Sequence, residues 1–204
     1  TADINLTGIE FDSIPTFGGT FEGQGHTVSG LELSGDASHM GLFRYVQAVG
    51  TVRDLKVTGN IDAAGTLNEI GAIVGTNYGT ISGCSFSGTI SGQNNVGGIA
   101  GTNEGSGMIY NCKTEGSVEG DHYVGGIVGY IYESAASVSG CTNSGEVNND
   151  YYNNNIDFDA AESAKRTNCT GGIVGAASTL GEPNVISSCS NSGLIPIYRG
   201  IGGG

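Results

Sequence analysis

The sequence predicts an all-β fold, a right-handed parallel β-helix (β-solenoid) of about six or seven coils. Two sequence elements recur along the chain, the first rich in glycine and the second following each copy of the first. The apolar positions are mostly β-branched and stand in short runs, which is typical of strands. No stretch carries the long i, i+3, i+4, i+7 apolar stripe of a helix. The predicted hand follows from the near-universal right-handedness of parallel crossovers.

The first element is Gly-Gly-Ile-Val-Gly and its variants. Copies begin at Gly71, Gly97, Gly125 and Gly171, and a looser copy begins at Gly41. Repetition at this spacing indicates units that cannot bury their apolar side alone and must stack on their neighbours. Glycine also supplies the positive φ that corners between strands need.

The second element is an aliphatic residue, a Leu or Cys three positions later, then a Gly and a further aliphatic residue. The Leu/Cys position recurs at steps of 24 to 29 residues, and the last step is 48 residues. Stacked coils place equivalent residues above one another, so this position should form a ladder inside the fold. The predicted ladder is Leu31, Leu55, Cys84, Cys112, Cys141 and Cys189.

The five cysteines favour buried free thiols over disulfides. In-register side chains point the same way, which suits the disulfide dihedral poorly, and a buried thiol packs as a small apolar group. Cys169 breaks the register and has no predicted role. A metal site is the weaker alternative, since the chain has no Cys-x-x-Cys pair and no His at ligand spacing.

The charge of the chain argues against several partners. The 204 residues, enough for one domain, carry a formal net charge of -13 with only seven scattered Lys and Arg. Nucleic-acid binders need clustered cations, so nucleic acid is not an expected partner, and neither is an anionic membrane. No apolar run reaches the roughly 20 residues of a membrane span.

The repeats resemble a known motif. Residues 96–105 read VGGIAGTNEG and are followed by a Cys-containing strand that ends at Gly116, while residues 17–31 form a glycine-rich lead-in. This pattern resembles the GLUG-motif repeats of bacterial surface proteins, from about Phe17 to the C-terminus. Such repeats occur in adhesin-like proteins and beside the catalytic domain of IgA-protease-like metallopeptidases. The resemblance implies a β-helical segment of a larger protein, extracellular or on the bacterial surface, and carries over no catalytic residue.

One solenoid domain is predicted for residues 1–204. Residues 1–27 form a lead-in coil, 28–147 the regular coils, 148–168 a loop insertion and 169–204 the last coils. The array is expected to continue beyond the chain, because Ile201-Gly202-Gly203 falls where another Gly-Gly element would begin. The alternative is a terminal run of glycines. Other domains of the same polypeptide are then expected partners.

Recognised catalytic motifs are absent from the sequence. It contains no HExxH, GxSxG or Walker motif. Polysaccharide lyases and hydrolases need carboxylates gathered on one groove, yet the positions beside Leu55 become Ser, Gly, Tyr or Asn in later coils. We therefore predict that the chain is not an enzyme. Stacked aromatics or facing carboxylates on one groove would favour a carbohydrate-active protein instead.

The insertion is the one departure from the repeat. Insertions leave a solenoid as loops on one face, and Tyr combined with Asn and Asp is a recognition composition. We expect it to contact a host glycan or an extracellular protein, with Tyr123, Tyr130 and Tyr132 of the preceding coil nearby. The alternative is a tolerated polar loop. The predicted ligand-binding residues are Asp150, Tyr151, Tyr152, Asn154, Asp157 and Asp159.

Calcium is a separate hypothesis, and no other cofactor is expected. Asp157 and Asp159 have the spacing that begins a calcium loop, but Glu162 stands where an EF-hand needs glycine. The main functional prediction is a non-catalytic adhesin-like segment that presents binding loops or acts as a rigid spacer. One alternative is a substrate-recognition region of an IgA-protease-like surface metallopeptidase. The other is a carbohydrate-binding or degenerate polysaccharide-active β-helix.

Overall fold

The computed structural model describes residues 2–35, 37–63, 68–132, 135–149, 170–178 and 184–195. Within these ranges the chain forms short strands and no helix, and every strand pair is parallel. The predicted parallel β-solenoid is confirmed. The direction in which the chain winds stays a prediction. The described part of the chain contains no apolar helix long enough to cross a membrane.

The strands are two to nine residues long and follow one another with short connections. The first seven are β1 (Ile4–Asn5), β2 (Ile14–Phe17), β3 (Thr20–Glu22), β4 (Thr27–Gly35), β5 (Phe43–Val46), β6 (Thr51–Arg53) and β7 (Lys56–Ala63). The next nine are β8 (Asn68–Gly71), β9 (Val74–Asn77), β10 (Thr80–Ser82), β11 (Ser85–Ser91), β12 (Asn94–Gly97), β13 (Ala100–Glu104), β14 (Met108–Tyr110), β15 (Lys113–Thr114) and β16 (Ser117–Gly120). The last nine are β17 (His122–Gly125), β18 (Val128–Tyr132), β19 (Ser137–Ser139), β20 (Thr142–Asn143), β21 (Val147–Asn149), β22 (Thr170–Gly171), β23 (Val174–Ala177), β24 (Val185–Ser187) and β25 (Ser190–Asn191).

The strands assemble into four parallel sheets that run along the stack of coils. One sheet has the order β2-β5-β9-β13-β18-β23, a second β3-β6-β10-β14-β19-β24 and a third β8-β12-β17-β22. The fourth contains β1, β4, β7, β11, β15, β20 and β25, with β16 and β21 alongside. In the described residues, four coils (β8–β25, the complete coils) contribute to all four sheets. The two preceding coils (β2–β7, the N-terminal coils) contribute to three, so there are fewer complete coils than expected.

Equivalent aliphatic residues stack inside the solenoid, from the second of the N-terminal coils into the complete coils. Ile81 pairs with Val52 below it and with Ile109 above it, and Ile109 pairs with Val138. All four side chains are fully buried. Each coil thus buries its apolar residues against identical positions of its neighbours, which a unit of fewer than thirty residues cannot do alone.

The predicted ladder starts at Leu55 and not at Leu31. Backbone bonds of 2.9 Å join Ser85 N to Leu55 O and Lys113 N to Cys84 O, and the same contact continues through Cys112 and Cys141 to Cys189. The prediction for Leu31 was wrong, because this residue pairs with Gly59 after a register shift in β4.

A turn explains the shift at the start of the ladder. The His26 N–H donates to Gly23 O at 2.8 Å, and His26 then stands level with Leu55, since the Lys56 N–H donates to His26 O. His26 contacts Asp3 instead of filling the interior. A pocket of about 310 Å³ lies beside this turn and is lined by His26, by Leu55 and by Phe21 of β3.

Aromatic rings fill the interior of the N-terminal coils. The ring centroid of Phe43 lies 4.9 Å from that of Phe17 and 5.7 Å from that of Phe21. Phe43 is fully buried. Aromatic pairs at these separations add stability beyond the area that they bury.

Buried asparagines cap turns inside the complete coils. Asn77 Nδ2 donates to Asn103 Oδ1 at 2.8 Å, and its Oδ1 accepts from the Gly79 N–H at 3.1 Å. Asn103 Nδ2 donates to Gly107 O at 3.0 Å. Asn143 makes the equivalent side-chain bond to Asn191 at 2.7 Å. A buried amide is tolerated here because its donors and acceptors are satisfied.

Candidate recognition face

One corner of the solenoid places a residue with positive φ at the same level in four successive coils. The φ angles are 61° at His39, 63° at Glu69, 52° at Asn95 and 54° at Tyr123. Pairing of β12 with β8 and with β17 sets Asn95 level with Glu69 and Tyr123, and the bridge from Met40 to Ile70 aligns His39. Their side chains form the corner column.

The last glycine of each Gly-Gly-Ile-Val-Gly element packs against this corner. A Cβ at Gly101 would overlap the backbone of Glu69, and one at Gly129 would overlap the backbone of Asn95. Gly75 meets the backbone of His39 in the same way. The sequence element therefore fixes the backbone that presents the corner column.

Two further columns run beside the corner column. Strand pairing stacks Tyr45, Thr76, Thr102 and Tyr130 in a middle column. Glu104 pairs with Tyr132, and Asn77 pairs with Asn103. Because Tyr78 and Glu104 directly follow these two asparagines, Tyr78, Glu104 and Tyr132 form an outer column. We call the three columns together the tyrosine–glutamate face. Its residues are His39, Tyr45, Glu69, Thr76, Tyr78, Asn95, Thr102, Glu104, Tyr123, Tyr130 and Tyr132.

Aromatic rings occupy both ends of the tyrosine–glutamate face. At one end the ring centroids of His39 and Tyr45 lie 4.6 Å apart. At the other end the centroid of Tyr130 lies 4.9 Å from that of Tyr123 and 5.7 Å from that of Tyr132. Tyr132 is 49% exposed. Each end thus offers a cluster of rings to the outside.

Polar side chains lie between the two aromatic ends. Thr102 Oγ1 donates to Thr76 Oγ1 at 3.0 Å, and both threonines are buried. His39 Nδ1 lies 3.0 Å from Thr76 Oγ1 and 3.4 Å from Glu69 Oε2. Asn95 Nδ2 donates to Glu69 Oε1 at 3.3 Å. The network holds the Glu69 carboxylate in place from both neighbouring coils.

Burial raises the pKa of the Glu69 carboxyl group. The neighbouring His39 and the hydrogen bond from Asn95 lower it, while the charge of Glu104 raises it further. Burial outweighs the two favourable contacts, so Glu69 is harder to ionise than an exposed glutamate. Ionisation of Glu69 in the folded protein therefore costs free energy relative to ionisation in water.

Two tyrosines of the face, Tyr45 and Tyr78, have raised pKa values and stay protonated at neutral pH. Burial and a hydrogen bond to Glu104 raise the pKa of Tyr78 to about 12. Burial, followed by the charge of Glu69, raises the pKa of Tyr45. Both hydroxyl groups therefore act as hydrogen-bond donors, while the carboxylate of Glu104 is an acceptor.

The tyrosine–glutamate face was missed in the sequence, apart from Tyr123, Tyr130 and Tyr132. The sequence does contain a pattern that could have revealed the face. Each corner residue stands two positions before the first glycine of a Gly-Gly-Ile-Val-Gly copy, and Thr76, Thr102 and Tyr130 directly follow the last glycine of a copy. The predicted loop residues Asp150, Tyr151, Tyr152, Asn154, Asp157 and Asp159 lie outside the described residues. No group of three or more His, Cys, Asp or Glu side chains in the described ranges could hold a metal ion.

The described cysteines are free thiols in one column of the interior. Cys84, Cys112 and Cys141 are buried and Cys189 is half-buried, whereas Cys169 lies outside the described residues. Each thiol donates to the carbonyl two residues earlier, at 3.2 to 3.4 Å. Hydrogen bonds to Cys141 and Cys84, together with burial, raise the pKa of the Cys112 thiol. Fully buried and held protonated, the Cys112 thiol is a packing group and not a nucleophile.

Stacked parallel coils with an outward-facing set of aligned residues define a repeat protein of the β-solenoid class. The model of the GLUG motif matches residues 66–91, 92–119 and 120–148, which confirms the predicted resemblance. The chain is 34% identical over 99 residues to halomucin from Haloquadratum walsbyi. That alignment covers 46% of this chain and 1% of halomucin, so it compares only a small part of a very long protein.

A solved structure shares the whole fold. The chain is similar to a candidate immunoglobulin A1 protease from Bacteroides ovatus, with a TM-score of 0.70 and 19% sequence identity. The similarity covers 96% of this chain and 68% of that protein. At this identity the likeness establishes the β-solenoid fold.

Proposed function

We propose that the chain is a non-catalytic recognition segment of a surface protein, which holds the tyrosine–glutamate face toward a glycan or an extracellular protein. The GLUG-motif match and the similarity of part of the chain to halomucin support a surface location. The structural similarity to a candidate immunoglobulin A1 protease supports an extracellular location, because immunoglobulins are extracellular proteins. An adhesin and the accessory region of a surface protease would both use such a segment.

The observation that carries the proposal is the clustering of tyrosines on two successive strands of one coil. Tyr130 contacts Tyr123 of β17 and Tyr132 of its own strand β18, and Tyr132 is half exposed. Tyrosine is enriched at binding hot spots because it buries a large area with little loss of conformational freedom. Parallel strands on both sides hold these rings in place before any ligand arrives.

The non-catalytic part of the proposal follows from how the carboxylates are used. Glu69 contacts His39 and Asn95, and Glu104 accepts a hydrogen bond from Tyr78. A glycosidase would need two carboxyl groups free to act on opposite sides of a glycosidic bond. Release of reducing sugar by the chain, lost in Glu69→Gln or Glu104→Gln, would contradict this part and favour the carbohydrate-active alternative.

The insertion at residues 148–168 is a second proposed contact region. Its composition supports that role, and Tyr130 and Tyr132 stand at the end of the coil that precedes it. Calcium binding by Asp157 and Asp159 also stays a proposal, and a melting temperature unchanged by millimolar calcium would contradict it. No sequence feature of the insertion requires it to be catalytic.

The test compares the two contact regions on the full chain. The immobilised chain is screened against glycans and extracellular glycoproteins, together with the double variant Tyr130→Ala/Tyr132→Ala and a deletion of residues 149–166. We expect the double variant to lose binding. Tyr110→Ala is the matched control, since Tyr110 is 38% exposed on a different sheet. Loss of binding in the deletion alone would assign recognition to the insertion.

A further inference from the structure

We infer that the tyrosine–glutamate face binds a carbohydrate chain that lies along the solenoid axis and is neutral or carries amino groups. The inference rests on the proposed function and names the ligand class. The face has two aromatic platforms, polar groups between them and an acidic centre.

The aromatic ends match the apolar side of a sugar ring. A pyranose presents C–H groups on one side and hydroxyl groups around its rim, so it packs on an aromatic ring while needing donors and acceptors at its edge. Tyr45 stands beside His39, and Tyr130 stands between Tyr123 and Tyr132. Each platform combines a ring with a phenolic hydroxyl group.

The spacing of the platforms suits a chain of sugars. Tyr45 and Tyr130 occupy the same column three coils apart, with Thr76 and Thr102 between them. Coils repeat every 4.8 Å or so, which places the two platforms about 14 Å apart along the axis. A single sugar cannot reach both platforms, whereas an extended oligosaccharide can.

Hydrogen-bonding groups fill the interval between the platforms. Glu69 and Asn95 stand in the corner column, and Tyr78 and Glu104 in the outer column, on either side of the buried threonines. Hydroxyl groups of a bound sugar would meet carboxylate and amide oxygens, which accept, and amide and phenol groups, which donate. This alternation of apolar platforms and polar edges is the pattern that a saccharide needs.

The charge of the face selects among saccharides. Glu69 and Glu104 stand in successive coils, and the pKa of Glu69 is raised by burial and, to a smaller extent, by the charge of Glu104. At one end of the face the positive charge of Arg44 acts to lower the pKa of Tyr45, whereas the centre carries the carboxyl groups of Glu69 and Glu104. Sulfated or uronic chains would be repelled, and amino groups would be attracted.

A peptide in strand conformation is a weaker fit. The middle and outer columns lie on β5, β9, β13 and β18, and each of these strands is paired on both sides. These strands offer no free edge for a peptide to extend the sheet, and β8, which ends its own sheet, has only the single bridge from Met40 to Ile70 on its outer side. Binding of a protein without sugars becomes an outcome of the test.

The experiment uses the full chain and defined oligosaccharides. The probes are a neutral chitin hexamer and dimer, a deacetylated hexamer that carries amino groups, and a heparin-derived hexamer. The chain contains nine Tyr and no Trp, so tyrosine fluorescence reports binding directly. We expect the chitin hexamer to bind at least tenfold more tightly than the dimer, the deacetylated form to bind best, and the heparin-derived hexamer to bind worst.

Variants at each platform test the geometry. We expect Tyr45→Ala and Tyr132→Ala each to weaken hexamer binding about tenfold and to abolish its advantage over the dimer, while Tyr110→Ala changes neither. Glu104→Gln should remove the preference for the deacetylated hexamer. Tyr132 is half exposed, so its variant folds even if the loss of Tyr45 destabilises the coil. Thermal melting of each variant verifies folding.

The outcomes separate this inference from the proposed function. The inference is overturned if the heparin-derived hexamer binds best, if length has no effect, or if Tyr110→Ala weakens binding as much as Tyr132→Ala. If an enzymatically deglycosylated protein binds to the wild type and loses binding in Tyr132→Ala, the face is a recognition site but not for sugars. If neither saccharides nor glycoproteins bind, both proposals fail.

Discussion

The N-terminal coils and the complete coils fill their interiors in different ways. In the N-terminal coils, Phe17, Phe21 and Phe43 pack together, the register of β4 shifts, and a pocket is lined by Leu55. In the complete coils, columns of Ile, Val, Cys and Asn repeat in register. The complete coils also bury the ring of Phe86, and the aliphatic columns continue into the N-terminal coils through Val52 and Leu55. The two regions therefore differ chiefly in the cluster of three rings and in the missing corner strand of the N-terminal coils.

The largest expected effect on stability comes from a Cβ at the repeated corner. Gly101→Ala would place a methyl group against the backbone of Glu69 in the coil below, so the coils must separate. We expect a loss of about 4 kcal/mol or more in the free energy of unfolding, measured by urea denaturation. The matched control is Gly19→Ala in the N-terminal coils, where the nearest atom is a Phe17 ring carbon 3.6 Å away. Equal midpoints for the two variants would contradict the role of the corner glycine.

The aromatic packing of the N-terminal coils gives the next largest effect. Phe43→Ala removes a fully buried ring that contacts Phe17 and Phe21. We expect a loss of roughly 3–5 kcal/mol in the free energy of unfolding. Phe43→Leu should lose less than about 1.5 kcal/mol, because most of the volume stays filled. If both variants lose the same amount, ring packing does not stabilise this end.

Replacing one asparagine of the Asn77–Asn103 pair tests how much this buried hydrogen bond stabilises the complete coils. Asn103→Val leaves Asn77 Nδ2 without the Asn103 oxygen and Gly107 O without its donor, so we expect a loss of about 2 kcal/mol. The double variant Asn77→Val/Asn103→Val should recover part of this loss, because Val46 and Ile131 already occupy the same column. Chemical denaturation of both variants provides the measurement. A double variant that is less stable than the single one would show that the turns need the amides.

The smallest expected effect is on how the free energy of unfolding depends on pH. Glu69 in the complete coils and Glu22 in the N-terminal coils should change it in opposite directions. The pKa of Glu69 is raised by burial, so its contribution to stability is present below its unfolded value of 4.5 and is lost as pH rises through the folded value. A hydrogen bond to Arg53 lowers the pKa of Glu22, so its contribution is present above 4.5 and is lost on acidification.

Glu69→Gln should therefore gain stability relative to the wild type as pH rises above 4.5, by at most about 1 kcal/mol. Glu22→Gln should show the reverse trend. Unfolding free energies of the wild type and both variants, measured between about pH 3 and 7, provide the comparison. Parallel curves for Glu69→Gln and the wild type would show that the carboxyl group is not desolvated in solution.

Much of the fold could be predicted because its determinants are local. Gly-Gly-Ile-Val-Gly sets a corner, and the β-branched runs set the strands, so the repeat indicated a β-solenoid and the stacking from Leu55 through Cys189. Leu31 was misplaced because spacing alone cannot reveal the turn at Gly23–His26 or the shift in β4. The asparagine pairs were missed because they join residues 26 and 48 positions apart, and a single coil gives no sign of them.

The sequence by itself determined that the chain is a stack of parallel coils, since each unit has an apolar side that only its neighbours can bury. Tertiary structure alone decided which outward residues converge. Tyr45 and Tyr130 lie 85 positions apart in the sequence and share one column only because three intervening coil-to-coil pairings keep register. Register across coils depends on every turn between them, and a surface built from aligned columns therefore emerges only when the whole stack has formed.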